Sequence, residues 1–62
     1  MSSHREKEVL RLVSRGMTNE EIASALTVSP HTVHRHVANI LTKLDEPTRV
    51  SAVTHALTTG LI

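Results

Sequence analysis

The sequence contains no cysteine and no aromatic residue among its 62 positions. Without cysteine, neither a disulfide nor a Cys-ligated zinc ion can stabilise the fold, although a domain this small buries only ~60% of the surface of its unfolded chain. Without Phe, Tyr or Trp, the chain lacks the platforms on which single-strand-binding folds stack bases. These absences exclude disulfide scaffolds and argue against single-strand binders.

Long apolar runs are also absent, and none approaches the ~20 residues that a membrane-spanning helix needs. Polar sequence starts directly after Met1, so we expect no signal peptide. We therefore expect one domain over 1–62 in the cytoplasm, with no membrane partner, no cofactor, no bound metal and no small-molecule site.

The formal net charge is only +1, but the charges are unevenly distributed. Basic and acidic side chains balance over residues 1–26, whereas Arg35, Lys43 and three histidines share 30–44 with no acidic residue. Such a concentration of positive potential is expected where an anionic polymer binds. A solvated helix face that happens to lack acids would look the same.

The sequence shows no sustained alternation of apolar and polar residues, which argues for an all-α fold. Apolar residues instead recur at helical spacing in segments separated by short joints. The predicted helices cover about 4–15, 19–26, 30–44 and 49–59. We therefore expect a four-helix bundle.

Capping residues support these boundaries. The predicted N-caps are Ser3, Thr18, Ser29 and Thr48. Glu6 and Glu21 follow the first two at the spacing of a capping box, and Pro30 suits the first position of the third helix. Gly16 and Gly60 supply the left-handed residues expected after the first and fourth helices.

The third predicted helix has one apolar and one polar face. Its apolar positions are Val33, Val37, Ile40, Leu41 and Leu44. The opposite face holds His31, Arg35, Ala38, Asn39 and Thr42, with His34 on its flank. A short second helix, a tight joint and this longer helix predict a helix-turn-helix, whose second helix lies in the DNA major groove. Any small helical bundle could show the same apolar pattern.

Residues spaced along the chain match the pattern of one family of regulators without a gap. They are Arg5-Glu6, Val9-Leu10, Gly16, Thr18-Asn19, Glu21-Ile22-Ala23, Leu26, Val28-Ser29, Thr32-Val33, His36-Val37, Asn39-Ile40, Lys43-Leu44, Arg49 and Gly60-Leu61. The chain thus resembles the LuxR/GerE-type helix-turn-helix family of bacterial transcription regulators. The resemblance implies a cytoplasmic, nucleoid-associated domain that binds double-stranded DNA as a homodimer through its last helix. It also implies a longer response regulator, whose N-terminal regulatory domain is missing from this chain.

The resemblance places contacts to the DNA bases just after the Thr-Val pair of the third helix, at His34, Arg35 and Ala38. The guanidinium of Arg35 matches the O6 and N7 atoms of guanine, although a phosphate contact is the alternative. Ala38 offers only an apolar contact, for instance to a thymine methyl group. His34 stands where the family most often has lysine, so its charge depends on protonation.

Contacts to the DNA backbone are expected from helix N-termini and groove edges. The candidates are Thr18, Asn19, His31, Thr32, Asn39 and Lys43. Glu20 replaces a common lysine of the family, and its carboxylate would weaken this contact. His36 is expected to be a half-buried structural residue, and Arg49 is expected to bind an acid elsewhere in the domain.

The fourth predicted helix carries two apolar stripes, and the second is a candidate dimer seam; the first is Ala52, Val53 and Ala56, and the second is Val50, Leu57 and Leu61. The expected dimer interface is Val50, Thr54, Leu57 and Leu61. Burial of both stripes within the domain is the alternative. In the preceding joint, Asp45 and Glu46 stand where the family favours glycine and an apolar residue, so we expect weaker helix packing there.

Parts of the sequence also fit functions other than DNA-binding regulation. Region four of sigma factors resembles the second and third helices, but it lacks the fourth helix with its closing Gly60-Leu61-Ile62. A metal site at His31, His34 and His36 is disfavoured because His36 points about 160° away from His34 on a helix. A purely protein-binding bundle remains open. The sequence contains no motif that indicates an enzyme.

Overall fold

The computed structural model describes residues 4–62, and all regular structure within them is helical. The elements are α1 (His4–Ser14), α2 (Asn19–Leu26), α3 (Pro30–Leu44) and α4 (Arg49–Thr58). The predicted all-α, four-helix fold is thereby confirmed, although α1 and α4 each end one residue earlier than expected. The predicted cap Ser3 lies outside the described residues.

The other predicted N-caps are confirmed by their hydrogen bonds. Thr18 Oγ1 accepts from the Glu21 backbone N–H at 3.2 Å, and Glu21 Oε1 accepts from the Thr18 N–H at 2.8 Å. Ser29 Oγ accepts from the Thr32 N–H at 3.1 Å. Thr48 caps α4 in a capping box with Ser51, a partner that the sequence pattern did not single out. Each bond satisfies a backbone donor that the first helical turn leaves free.

All four helices end in the same backbone motif, in which a residue with positive φ turns the chain and the next residue's N–H returns to a carbonyl of the last helical turn. The returning donors are Met17, Val28, Glu46 and Leu61. The left-handed residue is glycine after α1 and α4, with φ of 80° and 73°. It is Thr27 after α2 and Asp45 after α3, with φ of 58° and 54°.

The core is built around α3, which contacts each of the other three helices. Nine apolar residues are buried: Val9, Leu10, Ile22, Ala23, Val33, Val37, Ile40, Ala52 and Ala56. Because α3 buries only one face, its opposite face is left to solvent along its whole length. No helix among residues 4–62 is both long and apolar enough to cross a bilayer.

One charged residue lies within this core. Glu6 of α1 is only 3% exposed, and its Oε1 lies 2.6 Å from Lys43 Nζ on α3. Burying a carboxylate is costly unless a cation and hydrogen bonds compensate it. The pair therefore ties the last turn of α3 to the first helix.

Candidate nucleic-acid interface

The exposed face of α3 carries the residues predicted to read DNA. His34, Arg35 and Ala38 are all exposed, as are His31 and Asn39. Spacings of three and four residues place side chains on one side of a helix, so His31, His34, Arg35 and Ala38 form a continuous surface. A helix with side chains is about 10–12 Å wide, which matches the ~12 Å width of the B-DNA major groove.

The charge of this face is positive or neutral. The helix has no acidic residue in its first turn and a lysine in its last turn. The Thr42 hydroxyl is satisfied within the helix, since it donates to the Ala38 carbonyl at 3.1 Å. His36 is half-buried at the edge of the core, as its position in the sequence predicted. Among residues 4–62, no three potential ligands converge on a metal site.

A second group of predicted contacts lies at the start of α2. Asn19 begins this helix, and its Oδ1 accepts a hydrogen bond from Arg49 Nη1 of α4 at 2.6 Å. Arg49 Nη2 donates to the Met17 carbonyl at 3.1 Å. The expectation that Arg49 binds an acid was wrong, because its partners are an amide oxygen and a backbone carbonyl. These bonds join the start of α4 to the start of α2.

Two predicted backbone contacts already serve as parts of helix caps. The Thr18 hydroxyl accepts the capping hydrogen bond of α2, and the Thr18 N–H donates to the Glu21 carboxylate. Thr32 Oγ1 lies 2.9 Å from the Ser29 hydroxyl in the cap of α3.

Lys43 has a structural role that the sequence pattern did not reveal. Its ammonium group lies against the buried Glu6 carboxylate, while its side chain remains 42% exposed. An ammonium group carries three donors, so this ion pair leaves donors for a phosphate. The prediction of a DNA contact stays a prediction, and the positive charge is partly neutralised before DNA arrives.

The outer face of α4 exposes apolar side chains. Val50 is 77% and Leu57 is 60% exposed, and Thr54 lies exposed between them. Leu61 differs from these residues because it is half-buried and packs against the core.

An open groove of about 420 Å³ borders Val50, and Val13 and Met17 also line it. The two stripes therefore have different environments, since Ala52 and Ala56 are buried within the domain.

The joint between α3 and α4 is held by a polar contact that we did not expect. Glu46 Oε2 lies 2.8 Å from His55 Nδ1 of α4, and an ionised carboxylate can only accept, so the imidazole donates. This hydrogen bond holds the pKa of Glu46 below its ordinary value of 4.5. At Glu46 we expected only the loss of an apolar contact. The structure instead shows an ion-pair-like contact between the joint and α4.

The sequence and the fold of this chain are both similar to those of known regulatory proteins. The family model for bacterial regulatory proteins of the luxR family, GerE, matches residues 3–56. The response regulator protein VraR of Staphylococcus aureus strain Mu3 is 45% identical over all 62 residues, and so is VraR of Staphylococcus epidermidis. The chain spans about 30% of the length of these relatives.

Two solved structures share the fold. The response regulator ChrA of a heme-sensing two-component system superposes with a TM-score of 0.94 at 35% identity, over 100% of this chain and 31% of ChrA. The transcription factor GerE superposes with a TM-score of 0.89 at 31% identity, over 94% of this chain and 87% of GerE. The helix order, the caps around α2 and α3 and these matches lead to one assignment: the chain belongs to the luxR family of bacterial regulatory proteins and has its helix-turn-helix fold.

Proposed function

We propose that this domain binds duplex DNA as the effector part of a transcription regulator, with α3 in the major groove. The observation that carries the proposal is the polar face of α3, which is exposed, free of acids and opposite the core. Helix-turn-helix proteins whose mode of DNA binding is known read bases with the corresponding face of their second helix. Membership of a family of regulatory proteins supports the same function.

In this proposal, His34, Arg35 and Ala38 contact base edges. Arg35 reads guanine through two parallel hydrogen bonds, and the Ala38 methyl group packs against thymine. The backbone contacts come from the helix starts and the groove edges, at Thr18, Asn19, His31, Thr32, Asn39 and Lys43. Phosphate contacts fix the register of the helix in the groove, whereas the three base contacts supply sequence preference.

We further propose a homodimer on DNA, formed through the outer face of α4. Val50, Thr54 and Leu57 form its exposed part, and Leu61 contributes whatever surface its packing against the core leaves. Association would cover the two most exposed large apolar side chains of residues 4–62. The response regulators that the chain matches are longer, which supports an N-terminal regulatory domain in a cytoplasmic, nucleoid-associated protein. No catalytic role is proposed.

The test is a fluorescence anisotropy titration against a random-sequence duplex at several salt concentrations. The protein is used as the 62-residue chain and as two copies joined by a flexible linker, since linking raises the effective concentration of the second copy. Log-linear loss of affinity with salt is expected, and its slope counts the neutralised phosphates. Absence of binding by the linked dimer even at low salt would favour a protein-binding bundle instead.

Arg35→Ala separates base reading from phosphate contact. If Arg35 reads a base, the variant should lose about 1–3 kcal/mol on a selected site and should relax the preference at one position. If Arg35 binds phosphate, affinity should fall equally on all sequences and the salt slope should drop by about one. Arg11→Ala is the matched control, because it removes the same charge from an exposed position of α1.

A further inference from the structure

We infer that Arg49 is a positioning residue for DNA binding, because it orients the carboxamide of Asn19 so that the amide nitrogen is presented to a phosphate. The inference rests on the proposed function and assigns a specific role to a residue outside the helix-turn-helix. Its starting point is the pair of hydrogen bonds from Arg49 to Asn19 Oδ1, at 2.6 Å, and to the Met17 carbonyl, at 3.1 Å.

The chemistry of the two groups determines which way the amide points. A guanidinium group has five N–H donors and no acceptor, whereas a carboxamide has an oxygen that accepts and a nitrogen that donates. The amide atom next to Arg49 must therefore be the oxygen, because the opposite orientation would bring two donors together. Asn19 Nδ2 consequently points away from Arg49.

The nitrogen that points away is accessible. Asn19 Nδ2 makes no hydrogen bond with any other residue of the described range 4–62, and no buried side-chain nitrogen or oxygen in that range lacks a partner. An accessible Nδ2 with two hydrogens at the first position of α2 is a neutral donor beside the positive end of a helix.

Charge at this end of α2 makes the orientation important. Glu20 and Glu21 occupy the first turn of α2, so this helix start brings no cation of its own, and the neighbouring Arg49 guanidinium already donates to Asn19 Oδ1 and the Met17 carbonyl. A phosphate contact made by α2 itself therefore comes from a neutral donor, whose geometry matters more than its charge. Holding the amide in place before binding removes the entropy cost of ordering it in the complex.

The planar fork of arginine suits this task better than lysine. One nitrogen holds the amide while the other holds the carbonyl of the α1–α2 turn, so the amide is fixed relative to the backbone that carries it. Because Arg49 begins α4, the helix that carries the proposed dimer face also sets the direction of a DNA contact.

The first arm of the test measures the amide without DNA. The chain has two asparagines, Asn19 and Asn39, and no glutamine, so its ¹⁵N spectrum contains two side-chain NH₂ groups. Asn39 is exposed on α3 and provides an internal control. We expect the Asn19 group to be rigid, with an order parameter of about 0.85 that falls below about 0.6 in Arg49→Lys. The Asn39 group should remain unchanged in the variant, and an unchanged pattern of backbone amide resonances reports that the fold persists.

The second arm is a double-mutant cycle on DNA affinity, measured with the linked dimer. Asn19→Ala should weaken binding about tenfold, which is the ordinary effect of losing a hydrogen bond to a charged group. Arg49→Lys should weaken binding about three- to fivefold, and it should have no further effect when Asn19 is already alanine. In the matched control, Asn39→Ala, the effect of Arg49→Lys should persist in full. The salt slope should stay constant throughout, because no charge is removed.

The outcomes separate this inference from the proposed function. An Asn19 amide as mobile as that of Asn39 in the unmodified protein would overturn the inference. So would an Arg49→Lys effect of the same size with and without the Asn19 side chain, since Arg49 would then act only on the fold. If the unmodified linked dimer does not bind DNA, the proposed function itself fails and the role in DNA binding falls with it.

Discussion

The outer helices α1 and α4 end differently from the inner helices α2 and α3, although all four use the same hydrogen-bonded turn. Gly16 and Gly60 turn the chain after the outer helices, where a left-handed φ costs glycine nothing in steric terms. Thr27 and Asp45 do so at the two joints that flank α3, and a left-handed conformation costs an L-residue about 1–2 kcal/mol. The joints that position the proposed recognition helix are therefore the strained ones.

The residue after each left-handed position shows a second difference. Met17, Val28 and Leu61 are apolar and pack against the core, as this motif favours. Glu46 occupies the same place after α3 and instead contacts His55. Three turns are thus anchored by burial and one by a polar pair.

Val28→Glu would give the α2–α3 joint the residue type found at the α3–α4 joint, but without a partner such as His55. Val28 packs against the core, so the variant loses apolar burial and places a carboxylate there. We expect the free energy of unfolding to fall by about 2–3 kcal/mol. Urea unfolding followed by circular dichroism measures this change. Glu46→Val is the reciprocal control, and equal stability of Val28→Glu and the parent would break the distinction between apolar and polar anchors.

Exchanging glycine and threonine at the left-handed positions tests the steric cost directly. A Cβ added at Gly16 would meet no atom within 4 Å, so Gly16→Ala isolates the backbone term that Gly16→Thr also carries. We expect Gly16→Ala to lose about 1–2 kcal/mol in the free energy of unfolding. Thr27→Gly should gain about 0.5–1 kcal/mol, because relief of strain exceeds the added chain entropy of glycine. Thermal unfolding of these variants checks the signs, and destabilisation by Thr27→Gly would show that the threonine side chain contributes more than its strain costs.

The polar anchor should respond to acid, whereas the apolar anchors should not. The His55 hydrogen bond lowers the folded-state pKa of Glu46 below 4.5, so the stabilisation is present above that ordinary value and is lost as the pH falls through the folded-state pKa. Glu46→Gln should therefore be less stable than the parent from pH 7 down to about 4.5, and the difference should vanish at lower pH. Urea titrations across this range measure it. A difference that persists unchanged at pH 3 would assign the effect to shape and not to charge.

DNA affinity should rise modestly as the pH falls from about 8 to 6. His31 and His34 lie on the exposed face of α3, and a protonated imidazole there adds positive charge to the surface proposed to meet DNA. Surface pairs of this strength correspond to about a two- to fivefold gain. Anisotropy titrations of the parent and of Glu46→Gln separate this effect from the joint, because only the stability should depend on Glu46. A flat profile after correction for stability would contradict the prediction.

The sequence alone predicted most of the helix boundaries, because their causes are local. A capping hydroxyl at Thr18 or Ser29 binds an N–H three residues later, so the pattern and the bond lie in the same short segment. The two glycine turns were also expected, since few other residues take that conformation freely. Thr27 was not expected, because a β-branched residue with positive φ is uncommon.

The contacts between helices were beyond what a pattern could predict. Asn19 and Arg49 are 30 residues apart, and Lys43 and Glu6 are 37 apart. A helical pattern states which face a residue occupies, but not which residue of another helix lies opposite. For that reason Arg49 was assigned an acid as its partner, and Glu46 was expected to weaken a joint that His55 stabilises.

By itself, the sequence determined where α2, α3 and α4 begin, which face of α3 is apolar and which face stays polar, because capping bonds and helical periodicity depend on residues at most a few positions apart. The tertiary structure alone decided which polar groups of different helices meet. Packing α1 and α4 against α3 brought Glu6 to Lys43 and Arg49 to Asn19, and desolvation at those contacts gives each pair its importance.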